Sequence, residues 1–258
     1  MHSIVIDTGN TSTSIGRWED GVVTQIAAIN GGIKDPAAAE AALRAAGAGT
    51  AAAAIHASVV PDANATWTWL LKKLFALDLQ HLTHETPLPI GIDYPEKSQI
   101  GADRLADAVG AFARHGAPVI VADFGTALTF DTVNTAAAYT GGVIAPGIPL
   151  MTSYLHEKTA KLPLVDLRAA FPEWGDSTEN AMKLGARVGY RGMVREIAQF
   201  IRGKIGAGAP LIATGGYAAW ALEGSGIPCS IEPDLTLYGL GVILDHAANE
   251  TKIQPLAT

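Results

Sequence analysis

Residues 4–11 read Ile-Val-Ile-Asp-Thr-Gly-Asn-Thr, an apolar run that ends in an acidic turn containing glycine. Residues 119–129 repeat this form as Val-Ile-Val-Ala-Asp-Phe-Gly-Thr-Ala-Leu-Thr. Each stretch predicts a strand, a tight turn and a second strand. The glycine lets backbone N–H groups approach phosphate oxygens, and the leading Asp can face a cation. A single copy would be typical of an ordinary β-hairpin. Two copies predict one nucleotide held by two similar domains.

Composition limits the class of protein. The chain has 258 residues, 48% of them hydrophobic, which suits two domains of roughly 100–150 residues each. Its 18 basic and 25 acidic residues give a net charge of -7 without a Lys/Arg run, which argues against nucleic acid or a membrane as partner. The single Cys229 excludes an intrachain disulfide and predicts a small buried hydrophobe. No basic leader or membrane-spanning apolar run occurs, so a cytoplasmic protein is expected.

The predicted elements follow the same order in both halves of the chain. Each half begins with three antiparallel strands and continues with helix and strand units, which predicts an α/β duplication. In the first half we expect strands at 4–7, 13–18, 22–29 and 51–55, and helices at 35–46, 63–75 and 102–115. In the second half we expect strands at 119–123, 127–133, 139–144, 210–214 and 229–231, and helices around 151, at 178–205 and at 237–248.

Two helices carry further local signals. Asp35 is a plausible N-cap for the helix that begins at Pro36. The helix at 63–75 has large apolar residues at helical spacing, which indicates a core-facing side rather than a cofactor site. These residues are Trp67, Leu70, Leu71 and Leu74.

Common catalytic and nucleotide motifs are absent from the sequence. Gly203-Lys204 is followed by Ile205 rather than Ser or Thr, so there is no P-loop, and no Gly-x-Gly-x-x-Gly opens a helix after a strand. His156-Glu157 lacks the second His of a zinc helix. The sequence therefore excludes a P-loop, a Rossmann motif and a zinc helix.

Five motifs together resemble the type III pantothenate kinases, a family of the acetate and sugar kinase, Hsp70 and actin superfamily. They are Asp7-Thr8-Gly9-Asn10-Thr11, Gly101-Ala102-Asp103-Arg104, Asp123-Phe124-Gly125-Thr126-Ala127, the glycine-rich residues 141–147, and Thr214-Gly215-Gly216. The resemblance covers nearly the whole chain. It implies two duplicated ribonuclease H-like (actin-like ATPase) domains, residues 1–116 and 117–258, with mixed sheets flanked by helices and an ATP cleft between them.

The resemblance also implies a reaction. ATP phosphorylates pantothenate to 4'-phosphopantothenate, the first step of coenzyme A biosynthesis, in a homodimer that uses Mg²⁺ and a monovalent cation, K⁺ or NH₄⁺. Two alternatives stay open. The chain could be a regulatory or accessory relative that binds without turnover, or a kinase of another small alcohol, because fold does not dictate substrate.

The implied ATP-binding residues are Asp7, Thr8, Gly9, Asn10, Thr11, Ser12, Thr13, Ser14 and Thr126. Asp7 would face Mg²⁺ through water, because Mg²⁺ keeps several of its waters. Ser12 stands where members of the family often carry Asn, which keeps a donor but shortens its reach. Asp123 is implied as the ligand of the monovalent cation, since hard cations prefer oxygen. A turn-capping Asp is the structural alternative for Asp123.

Asp103 is the residue we expect to act as general base. It lies at the start of an amphipathic helix, where helix N–H groups and the Arg104 guanidinium should keep its carboxylate ionised, with a pKa close to that of an ordinary aspartate. In a loose transition state proton removal comes late, so orientation matters more than basicity. A solvated helix-terminal Asp is the alternative.

The implied substrate contacts are Tyr94, Gly101, Ala102, Asp103, Arg104 and Thr178. Arg104 could bind the pantothenate carboxylate through two parallel hydrogen bonds. Thr178 could equally be a helix N-cap, with Asp176 and Ser177 competing for that role. The glycine pair at 215 and 216 would let the adenosine end of ATP lie close to the backbone. Small residues in the helix at 178–205 suggest a dimer contact.

Overall fold

The structure is a computed structural model that describes residues 1–30, 36–167 and 171–253. It divides the chain into two units. Unit 1 comprises Met1–Gly116, Ala137–Thr140 and the chain from Asp234 onward, and unit 2 comprises Ala117–Ala136 and Gly141–Pro233. The proposed N-cap Asp35 lies outside the described residues. None of the described helices combines the length and the apolarity needed to cross a bilayer.

Unit 1 is built on a mixed sheet of five strands. They are β1 (His2–Thr8), β2 (Ser12–Glu19), β3 (Val22–Asn30), β4 (Ala54–Ser58) and β5 (Leu79–His81), in the order β3-β2-β1-β4-β5. The first three are antiparallel, and β4 and β5 add in parallel. The helices are α1 (Pro36–Ala46), α2 (Pro61–Phe75) and α3 (Ala102–His115). Strand β5 was not predicted, because three residues show too little alternation to stand out.

One core of unit 1 lies between this sheet and the first two helices. Trp67 and Leu71 of α2 are fully buried and Leu70 is nearly so, in one cluster with Ile4 and Ile6 of β1. Leu74 packs against the same cluster. The helical spacing of these side chains therefore identified the buried face of α2.

The end of the chain belongs to unit 1 rather than to a domain of residues 117–258. Helix α7 (Leu235–Ile253) packs along α3, where the Thr236 hydroxyl donates to Asp107 Oδ1 at 2.6 Å. A Cβ on Gly239 would strike the carbonyl of Ala106, so the two helices touch backbone to backbone. The expected bounds, 1–116 and 117–258, differ from this division at Ala137–Thr140 and from Asp234 onward. Nothing local in the helix pattern of residues 237–248 indicates which sheet the helix covers.

Unit 2 repeats the opening arrangement of three strands. Its sheet has the order β11-β10-β7-β8-β9, with β7 (Val119–Phe124), β8 (Ala127–Val133), β9 (Ala138–Pro146), β10 (Leu211–Thr214) and β11 (Ser230–Ile231). Strand β7 pairs antiparallel with β8 and parallel with β10. The helices are α4 (Ile148–Lys158), α5 (Thr178–Ile205) and α6 (Ala218–Leu222). The first residues of β9, which lie in unit 1, pair with β6 (Gly91–Ile92).

Candidate active site

The first acidic turn joins β1 to β2 in unit 1. Thr8 and Thr13 are cross-strand partners, and the Gly9 N–H donates to the Ser12 carbonyl at 2.9 Å, so residues 9–12 form a tight reversal. Asp7 is half-buried at the end of β1, while Asn10 and Thr11 are exposed at the tip. The turn therefore places small polar side chains at a strand end.

Gly9 is not required by the protein itself. Its φ is not in the left-handed region, and a Cβ placed there would come no closer than 3.5 Å, to the Ser12 carbonyl. An alanine would therefore fit the fold without strain. The space at this position is thus open, which is compatible with a backbone that receives a ligand.

Thr8 and Thr13 differ from the rest of the turn, because both side chains are fully buried. The Thr13 hydroxyl donates to Thr8 Oγ1 at 3.2 Å, and Thr8 Oγ1 lies 2.9 Å from His56 Nε2 on β4. Their hydroxyls thus bond within the protein. His56 carries no sequence motif, and only the pairing of β1 with β4 brings it to the turn.

Asp103 lies in the first turn of α3, where its Oδ1 accepts a hydrogen bond from the Arg104 N–H at 2.8 Å. Burial raises the pKa of the Asp103 carboxyl, and the N–H and guanidinium of Arg104 offset this only in part. The expectation of an ordinary pKa for Asp103 was wrong. It took account of the helix terminus and of Arg104, but not of the loss of water around the buried carboxyl group. A raised pKa makes the carboxylate a stronger base.

Gly101, the N-cap residue of α3, leaves room for that carboxylate. A Cβ on Gly101 would come within 2.5 Å of Asp103 Oδ1. Because the carboxyl group is the movable end of a side chain, an added methyl would displace it rather than break the helix. Gly101 therefore contributes to the position of the Asp103 carboxylate.

Arg104 and Tyr94 meet through a residue that the sequence did not single out. The Arg104 guanidinium carbon lies 6.0 Å from the centre of the Tyr139 ring, and the Tyr94 and Tyr139 rings are 6.1 Å apart with a tilt of 58°. Tyr139 is fully buried, whereas Tyr94 is half-buried. The backbone N–H of Asp93 also donates to the Tyr139 carbonyl at 2.9 Å. Tyr139 thus contacts both Arg104 and Tyr94, two of the predicted substrate-binding residues, within unit 1.

The second acidic turn lies in unit 2 between β7 and β8. Asp123 is paired with Thr129 on β8 and with Thr214 on β10, and the Gly125 N–H donates to the Ala127 carbonyl at 3.1 Å. Gly147 approaches this turn so closely that a Cβ there would lie 2.6 Å from the Gly125 carbonyl. Gly147, the last of the glycine-rich residues 141–147, therefore packs against the backbone of the turn.

Gly215 approaches Asp123 from the end of β10. Its φ is +88°, and a Cβ there would strike the Asp123 carboxylate and lie 2.7 Å from the Phe124 backbone. Gly216 has nothing within 4 Å of its would-be Cβ. Only the first glycine of the pair is thus required by the fold.

Thr178 is the first residue of α5 but not its cap. Ser177 is the N-cap residue, and its Oγ accepts from the Asn180 N–H at 3.1 Å. Thr178 is exposed and lines an apolar groove of about 440 Å³ between α4 and α5, together with Met151, Leu155 and Met182. The capping alternative for Thr178 is therefore wrong.

Comparison with known proteins gives the family. A family model described as type III pantothenate kinase matches residues 3–199. A type III pantothenate kinase of Akkermansia muciniphila is 44% identical over 191 residues, which cover 74% of this chain and 77% of the relative. Another, from Dehalococcoides mccartyi, is 34% identical over 262 residues, covering 93% of this chain and 94% of the relative.

Solved structures share the fold at low identity. A putative Baf family transcriptional activator from Campylobacter jejuni has a TM-score of 0.60 at 16% identity and covers 95% of this chain and 99% of its own. The activator of the 2-hydroxyisocaproyl-CoA dehydratase from Clostridium difficile, solved with ADPNP, has a TM-score of 0.56 at 10% identity and full coverage of both chains. At these identities the likeness concerns the fold alone.

Two mixed sheets flanked by helices, each opening on an acidic glycine turn, define an α/β phosphotransferase of the actin-like ATPase fold. The chain belongs to the type III pantothenate kinase family. The activity of that family is the ATP-dependent phosphorylation of pantothenate in coenzyme A biosynthesis. The alternative of an accessory relative without turnover is not favoured.

Proposed function

We propose that this chain phosphorylates pantothenate with ATP to give 4'-phosphopantothenate, with Asp103 as the general base. The observation that carries the proposal is the Asp103 carboxylate: it is held by the Arg104 N–H at 2.8 Å, and burial raises its pKa. A fixed carboxylate of raised basicity is what the removal of a proton from an alcohol requires.

The reaction follows from this arrangement. Asp103 accepts the proton of the pantothenate hydroxyl while that oxygen attacks the γ-phosphorus of ATP, the bond to the bridging oxygen breaks, and ADP leaves. The protein's part in such a transfer is to position the partners and to stabilise charge. Gly101 and Ala102 keep the start of α3 open, and Arg104 binds the carboxylate of pantothenate with Tyr94 beside it.

The residues of the first turn serve ATP in two ways. Asp7, Gly9 and the residues from Asn10 to Ser12, with Ser14, contact the phosphates, and Thr126 is a further proposed ATP contact. Thr8 and Thr13 contribute through the backbone and by holding the turn, since their hydroxyls are buried. Thr178 contributes to pantothenate binding, which agrees with a side chain that is exposed and not used for capping.

Two cations complete the proposal. Asp7 would hold Mg²⁺ through water, and Asp123 would hold K⁺ or NH₄⁺. In the described part of the chain neither belongs to a group of three His, Cys, Asp or Glu side chains that could hold a metal. Each nevertheless supplies carboxylate oxygens, the donors that hard cations prefer. When bound, Mg²⁺ would neutralise phosphate charge.

An ATP-coupled assay tests the reaction and its substrate together. We expect ADP release that depends on pantothenate and on Mg²⁺ and that is faster in K⁺ than in Na⁺. Other small alcohols with a carboxylate serve as matched controls. ADP release with another alcohol in place of pantothenate would contradict pantothenate as the substrate. The absence of ADP release with every alcohol would contradict the kinase activity.

The homodimer is a further part of the proposal, and α5 offers its contact. A Cβ added to Gly185, Gly189 or Gly192 would meet nothing within 4 Å, and Val188 between them is 60% exposed. Glycines inside a helix cost about 1 kcal/mol each against alanine, and close approach of a second helix would account for them. Light scattering at micromolar concentration should give twice the mass of the chain. A Val188→Glu variant should give a monomer, and a wild-type monomer would contradict the proposal.

A further inference from the structure

A chain of hydrogen bonds crosses the sheet of unit 1 directly below the first acidic turn. It begins at the Thr13 hydroxyl, passes through Thr8 to His56, and joins His56 Nδ1 to His81 Nδ1 at 3.3 Å. His81 Nε2 then lies 2.9 Å from Thr68 Oγ1 on α2. We call these five side chains the polar ladder. Its first four members lie on β2, β1, β4 and β5, four adjacent strands.

When both imidazoles are neutral, the last acceptor of the ladder sets the direction of every bond. The Thr68 hydroxyl has one hydrogen and donates it to the Asn64 carbonyl at 2.9 Å. His81 Nε2 must therefore carry a hydrogen and donate to Thr68. A neutral imidazole has only one N–H, so His81 Nδ1 is an acceptor.

The hydrogen-bond roles of the two His56 nitrogens follow from those of His81. Because His81 Nδ1 accepts, the hydrogen of His56 is on Nδ1, and His56 Nε2 must accept the hydroxyl hydrogen of Thr8. Thr8 Oγ1 in turn accepts from Thr13. With both imidazoles neutral, all five groups are satisfied in one arrangement.

The surroundings favour the neutral imidazoles. His56 is 1% exposed, and burial, with the nearby His81 as a second cause, lowers its pKa to about 3. Burial also lowers the pKa of His81. The charged side chains of the surface depression beside His81 are Lys72 and Lys73, and Lys72 pairs with Asp78 at 2.6 Å.

The ladder acts on the turn rather than on a ligand. Thr8 and Thr13 bracket residues 9–12, so their hydroxyl bond closes the base of the turn. Side chains alternate along a strand, so Thr8 points to the face opposite Asp7. His56 can therefore hold the strand end without touching phosphate.

We propose that His56 is a positioning residue for ATP binding: oriented by His81, it holds Thr8 and thereby the turn of residues 9–12 in the conformation that receives the phosphates. This rests on the proposed role of the turn in ATP binding. His81 serves as the partner that selects the His56 tautomer.

Two substitutions at one position separate the two bonds of His56. In His56→Gln the amide oxygen reaches the place of Nε2 and can still accept from Thr8. In His56→Asn the amide nitrogen reaches the place of Nδ1 and serves His81 alone. We expect His56→Asn to raise the KM for ATP about tenfold, the effect of one lost buried hydrogen bond, and His56→Gln to change it by less than about threefold. The KM for pantothenate should stay unchanged in both.

A pH series gives an independent readout. The pKa of His56 is depressed in the folded chain, so the stability that its neutral form contributes is complete above the unfolded value of about 6.5 and is lost as pH falls towards about 3. The urea midpoint of the wild type should therefore fall more steeply between pH 6.5 and pH 4 than that of His56→Gln, which has no imidazole at this position.

Gly9→Ala distinguishes failure of this inference from failure of the proposed turn. The fold accepts this alanine, so it should raise the KM for ATP without lowering the urea midpoint. An unchanged KM for ATP would refute the role of the turn. A raised KM in Gly9→Ala, with equal values in His56→Gln and His56→Asn, would refute the positioning role of His56.

His81→Ala keeps the test decisive if His56→Asn does not fold. His81 is only half-buried, and its removal frees His56 to place its hydrogen on either nitrogen. We expect the KM for ATP to rise about threefold, because only part of the Thr8 bond is lost. A folded His81→Ala with an unchanged KM for ATP would overturn the proposal.

Discussion

We expect Asp103→Asn to lower kcat by about 10²–10⁴-fold, the usual contribution of a general base, while the KM for ATP stays close to that of the wild type. Asparagine keeps the shape of the side chain and can still accept from the Arg104 N–H, but it cannot take a proton. The free energy of unfolding should be equal or higher, because burial of the Asp103 charge raises its pKa and so opposes folding at neutral pH. Single-turnover kinetics and urea unfolding measure the two effects.

The pH profile of the wild type supports the same assignment. A base works only when deprotonated, so kcat should fall with decreasing pH through the raised pKa of Asp103. Asp107→Asn is the matched control, since Asp107 is a buried carboxylate one turn further along α3 that bonds to Thr236. It should cost about 1–3 kcal/mol of stability and leave kcat within roughly threefold. Near-normal kcat in Asp103→Asn would reject Asp103 as the base.

We expect Gly215→Ala to destabilise unit 2 by about 2–5 kcal/mol, from two causes. A φ of +88° is unfavourable for any residue with a Cβ, by about 1–2 kcal/mol. The methyl group would also strike the Asp123 carboxylate and the Phe124 backbone, and overpacking of this kind costs about 1–3 kcal/mol. The Asp123 side chain would have to move, so if Asp123 holds the monovalent cation as proposed, any stimulation of activity by K⁺ should be lost as well.

Gly216→Ala is the control for this substitution, at the next residue. Its Cβ would meet nothing within 4 Å, so its stability should stay within about 0.5 kcal/mol of the wild type. If the adenosine end of ATP lies close to this backbone, Gly216→Ala should still raise the KM for ATP. Urea unfolding followed by circular dichroism measures the stabilities. A Gly215→Ala variant as stable as Gly216→Ala would contradict the conclusion that the fold requires glycine at position 215 but not at position 216.

Features that depend on a few neighbouring residues could be predicted from the sequence. Helices α3 and α5 have the expected bounds, 102–115 and 178–205, because helical periodicity and terminal residues act within one or two turns. The two hairpins were predictable for the same reason. The cap of α5 was less certain, since three neighbouring polar residues could each fill the role, and the choice of Ser177 depends on backbone geometry.

Features that depend on distant parts of the chain could not be predicted. Tyr139 meets Tyr94 and Arg104 only because β9 pairs with β6. Helix α7 covers unit 1 although its sequence follows unit 2. Neither contact is indicated by a local sequence pattern, because an amphipathic helix or a short strand has the same pattern whichever part of the protein it packs against.

The two acidic turns, most of the helices and strands, and the resemblance to the family could be predicted from the sequence, because these features reside in short runs of adjacent residues. The protonation and orientation of the side chains at those positions depend on the folded structure. The pKa of Asp103 is raised because packing removes water from its carboxylate. Thr8 is turned inward to His56 because β4 lies beside β1. Burial and strand pairing depend on many residues that are far apart in the chain, so no single motif indicates them.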